Sequence, residues 1–521
     1  MRSIPLLRES NGAADMGKNI LIFSDGTGQA GGLLPDEVRT NVYKLFRATR
    51  CGPDSIVDPK QQVAFYDPGI GSKSANASIK VGWLRWFMNV LCQMTGLGLT
   101  RNIVDCYAAI IDLWEPGDRI YLFGFSRGAY TARCLGGVLG LCGVPTRGTN
   151  GKLASPREIK SIAREAVKKV YQHGASKPKN SRFHFQRDDL AAAFRKKYNS
   201  DIDGVSNTVP YFIGVWDTVA ALGTSIPRLI LFYAIGAPIA LGVLAFIAWG
   251  WTFLFGPGWS DALLNLSPTL FDRGTPLGSV TWAPLAKFFL LSTGAILILS
   301  YLWTHLKWAI GTRDPVYKTI HVVAWRLKFY DRDLNDRVDF ARHAMAIDER
   351  RKDFPRVPWT NSLGVHERKT GERNWFEQIW FAGNHADIGG GYIENESRLS
   401  DITLQWMVDE ARDIPHPILV DEGYLRPYPD SLGMMHDECK GSPIPWFSQP
   451  RSLPNGAVLH VSVFERLGKM VRNYDVIEAY DPVALRPEPH KPPKTFNKCD
   501  PPGLKARTSE AQSRANQHAQ N

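Results

Sequence analysis

Short apolar runs rich in β-branched and aromatic residues recur along the chain at Asn19–Ser24, Gln62–Tyr66, Arg119–Phe125, Val209–Trp216 and Gln378–Ala382. Stretches with helical spacing of apolar positions lie between them. Strands that alternate with helices in this way predict a mostly parallel sheet covered by helices on both faces. Ser155-Pro156-Arg157-Glu158 reads as a capping box with proline at the first helical position. It opens a helix whose apolar face is Ile159, Ile162, Ala163, Ala166, Val167, Val170 and Tyr171.

Two further runs break this alternation. Leu229 to Phe255 is 27 residues without a charge, and Phe288 to Thr304 is another 17. A bilayer core needs about 20 apolar helical residues, and Trp249, Trp251, Trp282, Trp303 and Trp308 stand near the ends of the runs, where amphipathic rings favour the interface. The pattern predicts an inserted transmembrane hairpin. The other reading of the same pattern is a helical hairpin buried in a protein core. Arg228 precedes the hairpin and Lys307, Arg313, Lys318 and Arg326 follow it, so the positive-inside tendency places both flanks in the cytoplasm. The expected organisation is an extension over 1–17, a catalytic domain in two parts over 18–227 and 309–480, the hairpin over 228–308, and a Pro-rich, partly disordered tail over 481–521. The expected location is the bacterial inner membrane, with a lipid bilayer as partner.

The net charge of +11 is uneven. Residues 152–197 hold thirteen basic and four acidic side chains, which is nine of the eleven charges. That segment suits anionic headgroups or a solvated helix face; no nucleic-acid-reading module accompanies it, so no nucleic-acid partner is expected. Seven cysteines without Cys-x-x-Cys spacing indicate neither a disulfide framework nor a structural zinc site. No metal and no cofactor is expected.

The chemistry concentrates in three places. Arg119–Phe125 runs into Gly124-Phe125-Ser126-Arg127-Gly128, and a helical pattern leaves it from Ala129. Strand, sharp turn and helix around Gly-x-Ser-x-Gly form a nucleophile elbow, in which Gly124 and Gly128 let the two backbones approach and Ser126 stands at the tip. A serine needs a base, and the base needs an orienting carboxylate, in the chain order Ser, Asp, His. Asp217 ends an apolar strand and His385 follows another on a glycine-rich loop, so both fit. Arg127 supplies one backbone donor for the oxyanion; Gly26 or Thr27, after the first strand, supplies the second. Asp25 serves either there or as a brace for that loop, and Asp387 supports the histidine loop.

Gly-Phe-Ser-Arg-Gly-Ala, Val-Trp-Asp-Thr-Val, Trp-Phe-Ala-Gly-Asn-His-Ala-Asp-Ile-Gly-Gly-Gly-Tyr, the opening Asp25-Gly26-Thr27 and Arg342 to Arg351 fall in one order across residues 18–395. This set resembles an α/β-hydrolase family of domains of unknown function similar to the catalytic domain of type VI secretion phospholipase effectors. The resemblance implies an α/β-hydrolase-like fold, a triad of Ser126, Asp217 and His385, and phospholipid acyl esters as substrates. The hairpin between Asp217 and Arg342, with no delivery domain apparent, favours a resident membrane enzyme over a secreted toxin. Competing readings are an esterase or thioesterase on a non-lipid acyl substrate, and a non-catalytic membrane-tethered scaffold. A phosphatase of the Asp-x-Asp-Gly-Thr type lacks its nucleophile, since Phe23 stands there. Metal hydrolysis on His385 and Asp387 lacks a second histidine at ligand spacing.

Overall fold

The computed structural model describes residues 17–26, 38–69, 98–148, 155–219 except 176 and 179, 302, 306–323, 333–359 except 353, 369–370, 373–441, 446–487 and 494–499. Eight strands form the central sheet: β1 (Asn19–Ser24), β2 (Gln62–Asp67), β3 (Arg119–Phe125), β4 (Phe212–Trp216), β5 (Phe340–Ala346), β6 (Phe376–Phe381), β7 (Ala457–His460) and β8 (Phe496–Cys499). Their order is β8-β7-β6-β5-β4-β3-β1-β2, and every neighbouring pair is parallel. Strand order reverses at β1 and β3. In open parallel sheets, the crevice beyond the carboxyl ends of strands at such a reversal is where ligands bind.

The strands are apolar throughout because both faces are covered. One face is aliphatic: Ile20, Ile22, Ile120, Leu122, Ile213 and Val215 pack under α2 (Leu99–Leu113), α3 (Arg127–Cys142), α4 (Pro156–Glu165) and α5 (Arg182–Tyr198). The other face is aromatic. Phe23 stacks on Phe123 at 5.1 Å between ring centres, and Phe123 meets Phe212 at 5.5 Å and Trp216 at 6.5 Å. This ladder packs beneath α1 (Asn41–Thr49) and α7 (Arg398–Arg412). Each such fully buried side chain contributes roughly 1.5–3 kcal/mol, so the two faces lock strand register without help from turns.

The helix expected after Ser155 forms, and Ser155 accepts the Glu158 N–H. It passes into a π-helical turn over Ala166–Tyr171, and all seven residues of its apolar face are buried. Strand β8 lies within the stretch read as a Pro-rich tail.

The membrane expectation is corrected. Among the described residues no helix is long and apolar enough to cross a membrane. The longest described helix is α5, with 17 residues, and it carries several charges. The runs 229–255 and 288–301 lie outside the described residues, as do 303 and 304. Freedom from charge is necessary for a span, but a span also requires one unbroken helix of about 20 residues, and charge counting alone does not supply it. The integral-membrane location, the hairpin and the orientation drawn from it are therefore withdrawn.

Candidate active site

Ser126 follows the last residue of β3 and caps α3 with φ 58° and ψ −120°. A non-glycine residue held there costs of order 1–3 kcal/mol and persists only where the surroundings enforce it. The surroundings are the two glycines. A Cβ on Gly124 would stand 2.4 Å from the Gly128 carbonyl oxygen, and one on Gly128 would stand 1.9 Å from the Ser24 carbonyl oxygen. Gly128→Ala therefore drives a methyl into the end of β1. It is expected to lower unfolding stability by about 2–3 kcal/mol or more, readable as a lower urea midpoint; an unchanged midpoint would show that the elbow is not tightly packed.

The Ser126 N–H donates to the Trp216 carbonyl at 3.1 Å, which ties the elbow to the end of β4. Asp217 is the next residue, itself at φ 32°. His385 begins α6 (His385–Gly389), just after β6. Its Nδ1 lies 2.6 Å from Asp217 Oδ2, and its ring packs at a tilt against Phe125, the residue before Ser126, at 4.6 Å between ring centres. Asp217 and His385 thus meet at the carboxyl ends of strands near the order reversal, and Ser126 adjoins them in the chain through Phe125, which touches the imidazole, and through its bond to Trp216. Asp217 Oδ2 is an acceptor, so Nδ1 carries the proton and Nε2 is left as the basic nitrogen. Among the described residues, Nε2 is buried and has no hydrogen-bond partner.

The loop bearing His385 is held by its neighbours. Asn384 accepts the Ala386 and Asp387 N–H groups, both at 2.9 Å, while Asp387 accepts the Asn384 N–H at 3.0 Å. Asp387 also accepts from His436, through the backbone at 3.1 Å and Nδ1 at 2.8 Å. Burial opposes charge on His436, but Asp387 and Glu396 outweigh it and raise its proton affinity. Asp387 is therefore a brace two residues along the chain from the imidazole.

Around the first strand the picture is different. Asp25 accepts the Gly26 N–H at 2.6 Å, the Thr40 hydroxyl at 2.7 Å and the Tyr66 hydroxyl at 2.6 Å. The Gly26 N–H is thus turned to Asp25. Thr27 lies outside the described residues. Arg127 opens α3, so its N–H sits at a helix N-terminus, where the aligned peptide dipoles favour negative charge.

Three partners of the pair were not assigned a role from the sequence. Arg451 donates to Asp217 Oδ1 at 2.6 Å and Oδ2 at 2.9 Å. Glu349 accepts the His385 N–H at 3.2 Å and pairs with Arg351 at 2.7 Å. His343, in β5, accepts the Thr218 N–H at Nε2 and faces Gln378 through Nδ1. Glu349 and His343 fall inside the Arg342–Arg351 stretch, so the sequence contained their signal; Arg451, in a loop before β7, offered none. For Asp217, burial disfavours the charge, yet Arg451 and the His385 hydrogen bond prevail and hold the carboxyl well below the usual carboxylate range.

Burial, reinforced by Arg133, pushes the His343 imidazole down to about 3. The unfolded chain takes up this proton near pH 6.5, whereas the folded chain resists it. Stability from this group is complete above about pH 6.5 and is lost as pH falls towards 3, by up to about 1.4 kcal/mol per pH unit. Denaturant midpoints at pH 7 and pH 4.5 should diverge in the parent and converge in His343→Gln; equal divergence in both would rule His343 out as the source.

Fold and site together define an α/β protein with a strained serine at the order reversal of a parallel sheet and a buried Asp–His pair beside it. The chain belongs to the family described as T6SS, phospholipase effector Tle1-like, catalytic domain, whose model matches residues 18–235 and 306–410. It is 26% identical over 425 residues to the uncharacterized protein YEL023C of Saccharomyces cerevisiae, a match covering 76% of this chain and 57% of that protein. The chain thus spans little more than half the length of that relative. Among solved structures it is similar to an uncharacterized protein from Pseudomonas aeruginosa, with TM-score 0.33, 16% identity and coverage of 79% of this chain and 48% of that one. It is also similar to the Tle1 effector bound to the VgrG spike of the type 6 secretion system, with TM-score 0.26, 15% identity and coverage of 74% and 53%.

Proposed function

We propose that the protein is a serine ester hydrolase that cleaves acyl esters of phospholipids or related lipids through an acyl-enzyme on Ser126. The observation that carries this reading is the buried Asp217–His385 hydrogen bond beside the strained backbone of Ser126. Membership of a Tle1-like phospholipase family supports lipid as the substrate class.

In the proposed mechanism Ser126 Oγ attacks the acyl carbonyl while His385 Nε2 takes its proton. Asp217 keeps the other ring nitrogen protonated and favours the imidazolium. The N–H of Arg127, at the start of α3, stabilises the developing oxyanion. Collapse breaks the acyl–oxygen bond, and the imidazolium returns its proton to the departing alkoxide. Water then enters by the same route in reverse and releases the fatty acid with Ser126 restored. The test is release of fatty acid from vesicles of phosphatidylethanolamine and phosphatidylglycerol, with Ser126→Ala beside the parent. Release by the parent alone supports the proposal; equal release by both overturns it. Parent activity confined to short soluble esters would keep the acyl hydrolase and remove the lipid.

A further inference from the structure

Asp217 has an unusual load for the carboxylate of a Ser–His–Asp set. Its two oxygens accept from His385 Nδ1, from the Ala346 N–H at 3.1 Å, and twice from the Arg451 guanidinium. Arg451 is no surface clasp: only 6% of its side chain is exposed, against 1% for Asp217. Its remaining contacts go to the Ala346 carbonyl at 3.0 Å and the Phe354 carbonyl at 3.2 Å. It therefore fastens the carboxylate to the end of β5 and to the loop whose Phe354 ring packs on His385 at 5.3 Å. A planar fork that meets both carboxylate oxygens fixes their plane as well as neutralising their charge.

The imidazole lies among charges in matched pairs. Asp217 is paired with Arg451, and Glu349, which receives the His385 N–H, is paired with Arg351. From α6 and the loop beyond it come Asp387 and His436, bonded to each other; from β5 comes neutral His343. Arg356 stands nearby over the Trp380 ring and is within electrostatic reach of Asp217. With both pairs intact, neither carboxylate presents a full uncompensated charge to His385. Without Arg451, a buried carboxylate would act on Nδ1 alone and stabilise the imidazolium strongly.

We infer that Arg451 is a positioning residue that sets the pH range in which His385 serves as a base, by sharing the Asp217 carboxylate with it. The inference rests on the hydrolase reading of Ser126, Asp217 and His385, and it makes the acid limb of activity depend on a residue remote from the substrate. A base must be neutral to accept a proton. Raising the proton affinity of His385 therefore moves the acid limb to higher pH.

The experiment compares the full chain with Arg451→Gln and Arg451→Met, using the NMR titration of the His385 ring, assigned by its loss in His385→Gln, and the pH profile of short-chain ester hydrolysis. Glutamine keeps a hydrogen-bond donor without charge, so it separates charge from geometry. The expected result is an upward shift of the His385 titration by about one pH unit. On the acid side of the titration kcat/KM should fall by up to about tenfold, the most that a one-unit shift allows, and largely recover by pH 9, with KM little changed. An unshifted titration in a folded Arg451→Gln or Arg451→Met protein overturns the proposal, whatever its activity. Should neither variant fold, Arg451→Lys takes their place: a single point donor leaves the carboxylate partly uncompensated, so a smaller upward shift is expected, and a titration coincident with the parent overturns the proposal. A parent that hydrolyses no ester and leaves Ser126 unlabelled by a fluorophosphonate would instead remove the hydrolase reading, and the NMR titration would still decide the role of Arg451.

Discussion

Ser126→Ala is expected to lower kcat for ester hydrolysis by about 10⁵-fold or more, to the level set by binding and oxyanion contacts alone. The loss is this large because the attacking oxygen is removed outright while the Asp217–His385 pair has nothing left to activate. Folding should be almost unaffected, since alanine inherits the φ of 58° together with its strain. Glycine at the same position should be equally inactive yet more stable by about 1 kcal/mol, because it occupies that conformation without a Cβ penalty. Parallel measurement of hydrolysis and urea unfolding checks both statements. An Ser126→Gly protein less stable than the parent would show that the serine side chain, rather than strain, dominates at the elbow.

Asp217→Asn is expected to damage both activity and fold. An asparagine can present its amide to His385 in place of an acceptor, which selects the wrong tautomer and lowers kcat by about 10⁴-fold. It also leaves the Arg451 guanidinium buried without a counter-charge, at a cost of about 3–5 kcal/mol. The pH dependence separates the terms. The Asp217 carboxyl is depressed in the folded chain, so its contribution is present above its unfolded value near 3.9 and is lost as pH falls below that value. The parent should therefore lose stability in acid more steeply than Asp217→Asn, and the two unfolding midpoints should approach each other at the lowest pH measured. A constant gap between them at all pH values would exclude the charge on Asp217 as the source.

Much of the sheet was legible because its strands are buried on both faces and read as unbroken apolar runs. Strand β5 was not, because Phe340-Ala-Arg-His-Ala-Met-Ala carries two polar residues at its centre. Both are buried: Arg342 pairs with Glu410 on α7, and His343 is fixed between Thr218 and Gln378. Polarity that a distant partner satisfies is indistinguishable, in one dimension, from polarity that faces water. Strands β7 and β8 are four residues each, too short for periodicity to register. The chain order of Ser126, Asp217 and His385 was readable because each follows an apolar strand. Asp25 was readable as a brace for its loop, but its partners were not, since Thr40 caps α1 and Tyr66 lies in β2 with no motif between them. The uncharged runs did not suffice for a membrane expectation, since lack of charge describes what a segment avoids whereas a membrane span is a statement about continuous helix, and the runs lie outside the described residues.

The parallel order of the sheet sends each contributor to the site through a separate crossover. Asp217 meets a histidine 168 positions later and an arginine 234 positions later. A nascent chain emerging from the ribosome would therefore expose the elbow long before it held the imidazole, and the imidazole before it held Arg451. Contacts of such sequence separation form late in folding. The proposed base and its carboxylate therefore come together only once the chain has been made well past His385, and the Arg451 clasp closes later still.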